Sequence, residues 1–256
     1  MMRPVLIIAK NTVIEVLRDR VLYFLLVFSI LFMLLCFAIG QLSYDEIFRL
    51  SVSLGLSGIH LCFSGLTIFL GCSLFYREIE RKTIYTLLAR PVSRTQYLMG
   101  KYFGLISVLA ILLTGFIFCF TLVEFLLGVP FLITTYYSFL GFFLEACLLL
   151  SVTFFFSSYS KPFMAITGSL SFFLIGHWIS NLEFLMKDSE SIIFKSVGSV
   201  VVRLIPHLES LNWRSNAVLK AHVNNVDLSF GVYNSVVWSV LFFTLSIIIF
   251  RRKDFE

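Results

Sequence analysis

Four ionisable side chains, His60, Glu124, Glu145 and His177, sit inside stretches otherwise dominated by Phe, Leu, Ile and Val. Imidazole and carboxylate groups hydrogen-bond, carry protons and ligate metals, and in hydrocarbon they are costly enough to face a bundle interior or water. Their spacing matches no catalytic motif: there is no HExxH, and no nucleophile stands beside a base in a recognisable pattern. Two chemistries suit the residue types. His60, Glu145 and His177 could hydrogen-bond locally between helices, which is the plainer reading, or they could ligate a metal, with or without Cys62 or Cys147. The spacing lends the second no support, so no metal site and no catalytic residue is assigned from sequence. Glu124 is expected in the outer headgroup region. The five cysteines, Cys36, Cys62, Cys72, Cys119 and Cys147, all fall in apolar runs, and read as small core residues rather than a disulfide framework or paired CxxC ligands.

The elements that must position these groups follow from composition. Of 256 residues, 59% are hydrophobic and only 14% charged, and mean hydropathy is +0.94; a soluble domain would be about a quarter charged. The surrounding solvent is therefore largely lipid. A run of about twenty apolar residues crosses the hydrocarbon core, and six qualify: 21–40, 53–76, 102–128, 136–158, 163–181 and 231–250. The expected fold class is an all-α polytopic membrane protein with six transmembrane helices in a single domain, 1–256. Residues 1–20, with Leu6, Ala9, Val13 and Leu17 at helical spacing, read as an amphipathic interfacial helix. The outer loop 182–230 is long enough to hold external or re-entrant helices before the last span and the tail, 231–256.

The net charge of +5 is topological rather than a sign of nucleic-acid binding. With the N-terminus inside, cytoplasmic segments hold fourteen of the twenty Lys and Arg residues, the distribution expected for an inner-membrane protein with both termini cytoplasmic. On these spans all four ionisable residues lie beyond the midplane on the outer side, His60 and His177 by about 7–8 Å. No nucleotide-binding loop is present in the sequence, so any ATP and Mg would belong to a partner ATPase, and no cofactor is expected on this chain.

The most charged stretch is the cytoplasmic segment 77–101 between the second and third spans. Thr83 to Ala89 can form about two helical turns on which Ile84, Leu87 and Leu88 share a face, and Arg90-Pro91 ends them, because the residue before proline disfavours helical geometry. Such an apolar ridge in the cytosol needs cover: either a protein groove or the bilayer surface itself.

Here the sequence resembles the type-2 ABC exporter permeases, particularly the branch that includes the copper-maturation permeases of nitrous oxide reductase. The matching residues are Glu78, Glu80, Thr83, Leu87, Leu88, Pro91, Arg94, Gly100 and Lys101. The likeness extends to the order of spans, Leu204-Ile205-Pro206, Leu211-Asn212 and the terminal Arg-Arg-Lys-Asp-Phe. One departure stands in the turn, where Lys82 occupies the position the family commonly gives to Gly. The resemblance implies a permease subunit of an ATP-driven exporter that pairs with a second copy or a paralogue. Two ABC ATPase subunits would dock on its coupling helix, Thr83–Ala89. By the same resemblance His60 and His177 face the pathway between permease copies, and with Glu145 they are the pathway candidates.

Two other functions compete. An ATPase-coupled anchor acting mechanically on an extracytoplasmic accessory protein would share the coupling helix, and an intramembrane enzyme would use the His and Glu residues but has no need of a cytoplasmic ridge. Ser191–Ile205 is too apolar to face water and is assigned as an outer gate or partner dock, with Phe194 and Val201 its test positions. The competing assignment is a lipid-facing helix from which Lys195 and Arg203 snorkel.

Overall fold

The computed structural model describes residues 2–20, 47–80, 93–126, 132–188, 191–219, 221 and 223–252, together with 23, 26, 27, 30, 31, 34, 35 and 38. Among these the chain is helical without strands. The helices are α1 (Met2–Leu17), α2 (Ile47–Glu80), α3 (Arg94–Leu126), α4 (Ile133–Tyr159), α5 (Pro162–Asp188), α6 (Ile192–Leu204), α7 (Arg214–Val218) and α8 (Asn225–Arg252), with a 3₁₀ turn, Leu208–Leu211, before α7.

Five described helices, α2, α3, α4, α5 and α8, are long and apolar enough to cross a membrane, and the all-α, multi-pass reading holds. The described positions of the expected first span are helical, but the span as a whole lies outside the described residues, as do Thr83, Ile84, Leu87, Leu88 and Pro91 of the coupling helix. The second span, Val52–Tyr76, agrees with the apolar run 53–76. The helix that carries it is longer: α2 has 34 residues, about 50 Å at 1.5 Å per residue, and continues past the apolar run to include positions Glu78 and Glu80.

Burial separates inner from outer helices. In their most apolar windows α2 and α4 are 72% and 67% buried, whereas α5 and α8 are 28% and 22% buried. α4 therefore forms the axis of the bundle, and α3, α5 and α8 turn broad apolar faces outward. Because lipid is as apolar as leucine, polar side chains supply specific links between these helices, each worth about 0.6 kcal/mol. Tyr102 Oη and Ser151 Oγ are 2.8 Å apart, Ser158 Oγ and Ser246 Oγ are 2.8 Å apart, and Ser235 Oγ donates to the Leu144 carbonyl at 2.8 Å.

At one end of the bundle Arg94 Nη1 donates to the Arg251 carbonyl at 3.1 Å, joining the start of α3 to the end of α8, where the last carbonyls favour a cation. α1 lies along α3 near this end. Its buried stripe is Thr12 and Val16, flanked by half-buried Ile8 and Val13, while Leu6 and Ile7 are exposed. Of the apolar residues at helical spacing, Ala9, Val13 and Leu17 are half-buried and Leu6 is exposed. Lys101, 6% exposed, fixes the register by donating to Glu15 Oε2 at 3.1 Å.

The opposite end carries residues 191–224. Ser191 caps α6 by accepting the Phe194 N–H. Ile205 leaves the helix at φ −116°, ψ 132°, the extended geometry required before Pro206. The chain then turns inward. Leu208, Leu211, Trp213 and Ala217 are all buried, so the segment after Pro206 re-enters the bundle.

Candidate functional site

Re-entry requires space, and two helices provide it by lacking side chains. A Cβ on Gly176 of α5 would stand 2.6 Å from Leu208 Cδ1, and one on Gly141 of α4 would overlap the Leu211 carbonyl oxygen. Any larger residue at either position would push the segment outward. Its seating brings Glu209, Asn212 and Arg214 down to the level of the buried ionisable residues.

His60 of α2, Glu145 of α4 and His177 of α5 meet there. Glu145 is 1% exposed and His60 4%. The two carboxylate oxygens of Glu145 are divided between the two imidazoles: Oε2 lies 2.8 Å from His60 Nε2 and Oε1 lies 2.8 Å from His177 Nε2. The far nitrogen of His177 faces a second carboxylate, with Nδ1 3.1 Å from Glu209 Oε2. Phe142 stacks on His60 at 4.9 Å and Phe173 packs edgewise on His177 at 4.8 Å. This apolar wall strengthens the polar contacts and raises the cost of leaving any of them unmade.

The hydrogen bonds continue through the re-entrant segment. Asn212 Nδ2 donates to Glu209 Oε1 at 2.8 Å, Arg214 Nε donates to Asn212 Oδ1 at 2.6 Å, and Arg214 Nη1 donates to Ser57 Oγ at 3.2 Å. Ser57 and His60 are three residues apart and share a face of α2. The chain of contacts therefore closes on itself, leaving α2 at His60 and returning to it one turn away. Beside this ring lies a cleft of about 340 Å³ lined by Arg49, Ser53, Ser57, Asn212, Arg214 and Ser215, among others.

The geometry constrains the protons. A neutral imidazole has a single N–H, yet both nitrogens of His177 face carboxylate oxygens. Either His177 is an imidazolium between two carboxylates, or one carboxyl keeps its proton and donates it. In the first arrangement Glu145 and Glu209 are balanced by His177 and Arg214, and His60 Nε2 donates to Glu145 Oε2. Burial pushes the Glu209 carboxyl up, but the hydrogen bonds from His177 and Asn212 and the neighbouring positive charges outweigh it and hold it below the ordinary carboxylate range. The ring can bind a cation, hold or pass a proton, and lock the re-entrant segment to three helices.

Other expected residues fall elsewhere. Glu124, two residues before the end of α3, is 4% exposed, and its Oε1 has no partner among the described residues. It does not join the ring. Cys62 and Cys147 are partly buried thiols outside the three-residue donor group. Phe194 is 38% exposed and Val201 half-buried. Among the described residues of the outer loop, Leu208, Leu211, Trp213 and Ala217, which are buried in the bundle, lie after Pro206. Glu209, Arg214 and Ser57 were not singled out in the sequence, and Asn212 was named only in the Leu211-Asn212 resemblance. Their signal is short-range: Glu209, Asn212 and Arg214 alternate with Leu208, Leu211 and Trp213, a pattern too apolar for a solvated loop.

With this bundle in view, the sequence pattern of the ABC-2 family transporter proteins matches residues 16–180. The match covers more than half of the chain, and the chain belongs to that family: it is a membrane permease subunit of an ABC transporter. The matched region includes His60, Glu145 and His177 but ends before Glu209. No curated protein matches the chain.

Proposed function

We propose that this permease exports its substrate by alternating access, driven by two separate ATPase subunits that bind ATP and Mg and dock on segment 77–101. A second copy or a close paralogue completes the membrane part. The observation that carries the reading is the family match over residues 16–180, which encloses that whole segment.

Within it, Glu78, Glu80, Thr83, Ile84, Leu87, Leu88, Pro91 and Arg94 form the coupling element, with the leucines entering a groove on the ATPase. The outward faces of α3, α5 and α8 suit lipid and a second permease copy. The re-entrant segment, wedged among α4, α5 and α8 at the end opposite Arg94, suits closure of the outer side, with Phe194 and Val201 on the preceding helix as gate positions. The inner membrane, with both termini cytoplasmic, is the location this mechanism requires. The long outer segment 182–230 extends the same reading to an extracytoplasmic accessory protein.

Purification of the full chain from its native membrane tests the proposal. An ABC ATPase should co-elute with it, and the complex should hydrolyse ATP. A chain that elutes without any ATPase from membranes in which it is stably inserted would contradict the reading.

A further inference from the structure

His60, Glu145 and His177 each offer one ligand atom, and these atoms all lie within 4.8 Å of one another. We propose that they form a binding site for a divalent transition ion of the zinc type, clamping α2, α4 and α5. This goes beyond the transport reading and does not depend on it.

The donor chemistry is specific. Two imidazole nitrogens and a carboxylate oxygen suit zinc and its first-row neighbours and suit magnesium or calcium poorly, since those ions prefer all-oxygen shells. Three protein donors leave one position for water, the pattern of a zinc site with an open coordination position. Donors at about 2.0–2.2 Å from a tetrahedral ion stand about 3.3 Å apart, so the widest pair closes by no more than about 1.5 Å. Rotations of the two imidazoles supply that movement without displacing a helix. The ion would replace protons now shared along the His60–Glu145 and His177–Glu145 contacts.

The surroundings are those of a ligand shell rather than of an isolated ion pair. His177 presents Nε2 to the site and Nδ1 to Glu209 at 3.1 Å, so Glu209 orients the ring as carboxylates orient metal-binding histidines, and Asn212 orients Glu209 in turn at 2.8 Å. Arg214 bonds to Asn212 and Ser57 rather than to the three donors, so its place beside the site is fixed without occupying a ligand atom. Phe142 and Phe173 hold the dry side. The His177 side chain, 17% exposed, and Glu209, 40% exposed, form the way in.

The test uses the full chain in detergent, purified without a histidine tag and dialysed against buffered zinc. Wild type should retain one zinc per chain, and cobalt(II) in its place should show ligand-field bands of a low-coordinate nitrogen–oxygen site without thiolate charge transfer. His60→Gln, Glu145→Gln and His177→Gln should lose the ion, Glu209→Gln should bind about 10–100-fold more weakly, and His207→Gln should bind as wild type does. The cobalt spectrum of the wild-type chain needs no variant to fold. Absence of zinc from wild type, zinc content unchanged in the three variants, or a thiolate-ligated cobalt spectrum would each overturn the site.

Discussion

The carboxylate of Glu145 lies 2.8 Å from His177 Nε2 through Oε1, and Oε2 of the same group meets His60 at 2.8 Å. One side chain on the central helix thus joins two others at a depth where no polar group is free of cost. Glu145→Ala leaves two imidazoles facing an apolar wall, and should destabilise the chain by about 3–5 kcal/mol. Glu145→Gln keeps the shape and part of the bonding, and should lose distinctly less. Thermal unfolding of the purified chain measures both; variants equal to wild type would show that the contacts do not hold the bundle.

The seating of the re-entrant segment depends on missing side chains at Gly141 and Gly176. Gly176→Leu should drive Leu208 out of its place and loosen the residues that follow. With Ala217→Cys as reporter in a cysteine-free chain, the buried position should resist a thiol reagent in the parent and react in the Gly176→Leu variant. Equal protection in both would mean that the segment is seated by other contacts.

How far this was legible in the sequence depends on distance along the chain. Spans could be read because each needs only a continuous apolar run, and Pro206 marked the end of α6 through its effect on Ile205. His60, Glu145 and His177 could be named because charge inside such a run is conspicuous, but their meeting depends on the rotation of three helices that no local pattern encodes. Glu209 and Arg214 were hidden for the opposite reason. In a polar loop a charged residue is ordinary, and only the inward turn after Pro206, permitted by glycines on two remote helices, gives them a partner.

Ser93 and Ser215 lie at opposite ends of the bundle and are exposed. Single cysteines at these positions in a cysteine-free chain should label from opposite sides of the membrane with an impermeant reagent, Ser93→Cys from the cytoplasm. Labelling of both from one side would overturn the arrangement of spans.

Phe194→Asp and Val201→Asp test the gate on α6. A carboxylate at a closed gate should change substrate-stimulated ATP turnover while assembly with the ATPase stays intact. Wild-type transport and coupling in both variants would leave α6 as a lipid-facing helix, in keeping with the exposure of Val197 and Val200.

In the proposed mechanism, segment 77–101 is the place where ATPase motion enters the membrane. Leu87→Asp puts a charge on the face meant for a dry groove, where an unpaired carboxylate costs several kcal/mol and weakens docking by orders of magnitude. The measurement is ATPase co-purification together with ATP-driven transport in reconstituted vesicles, for Leu87→Asp beside wild type. The variant should insert and remain folded yet lose both ATPase association and transport; wild-type association and transport would contradict the coupling assignment.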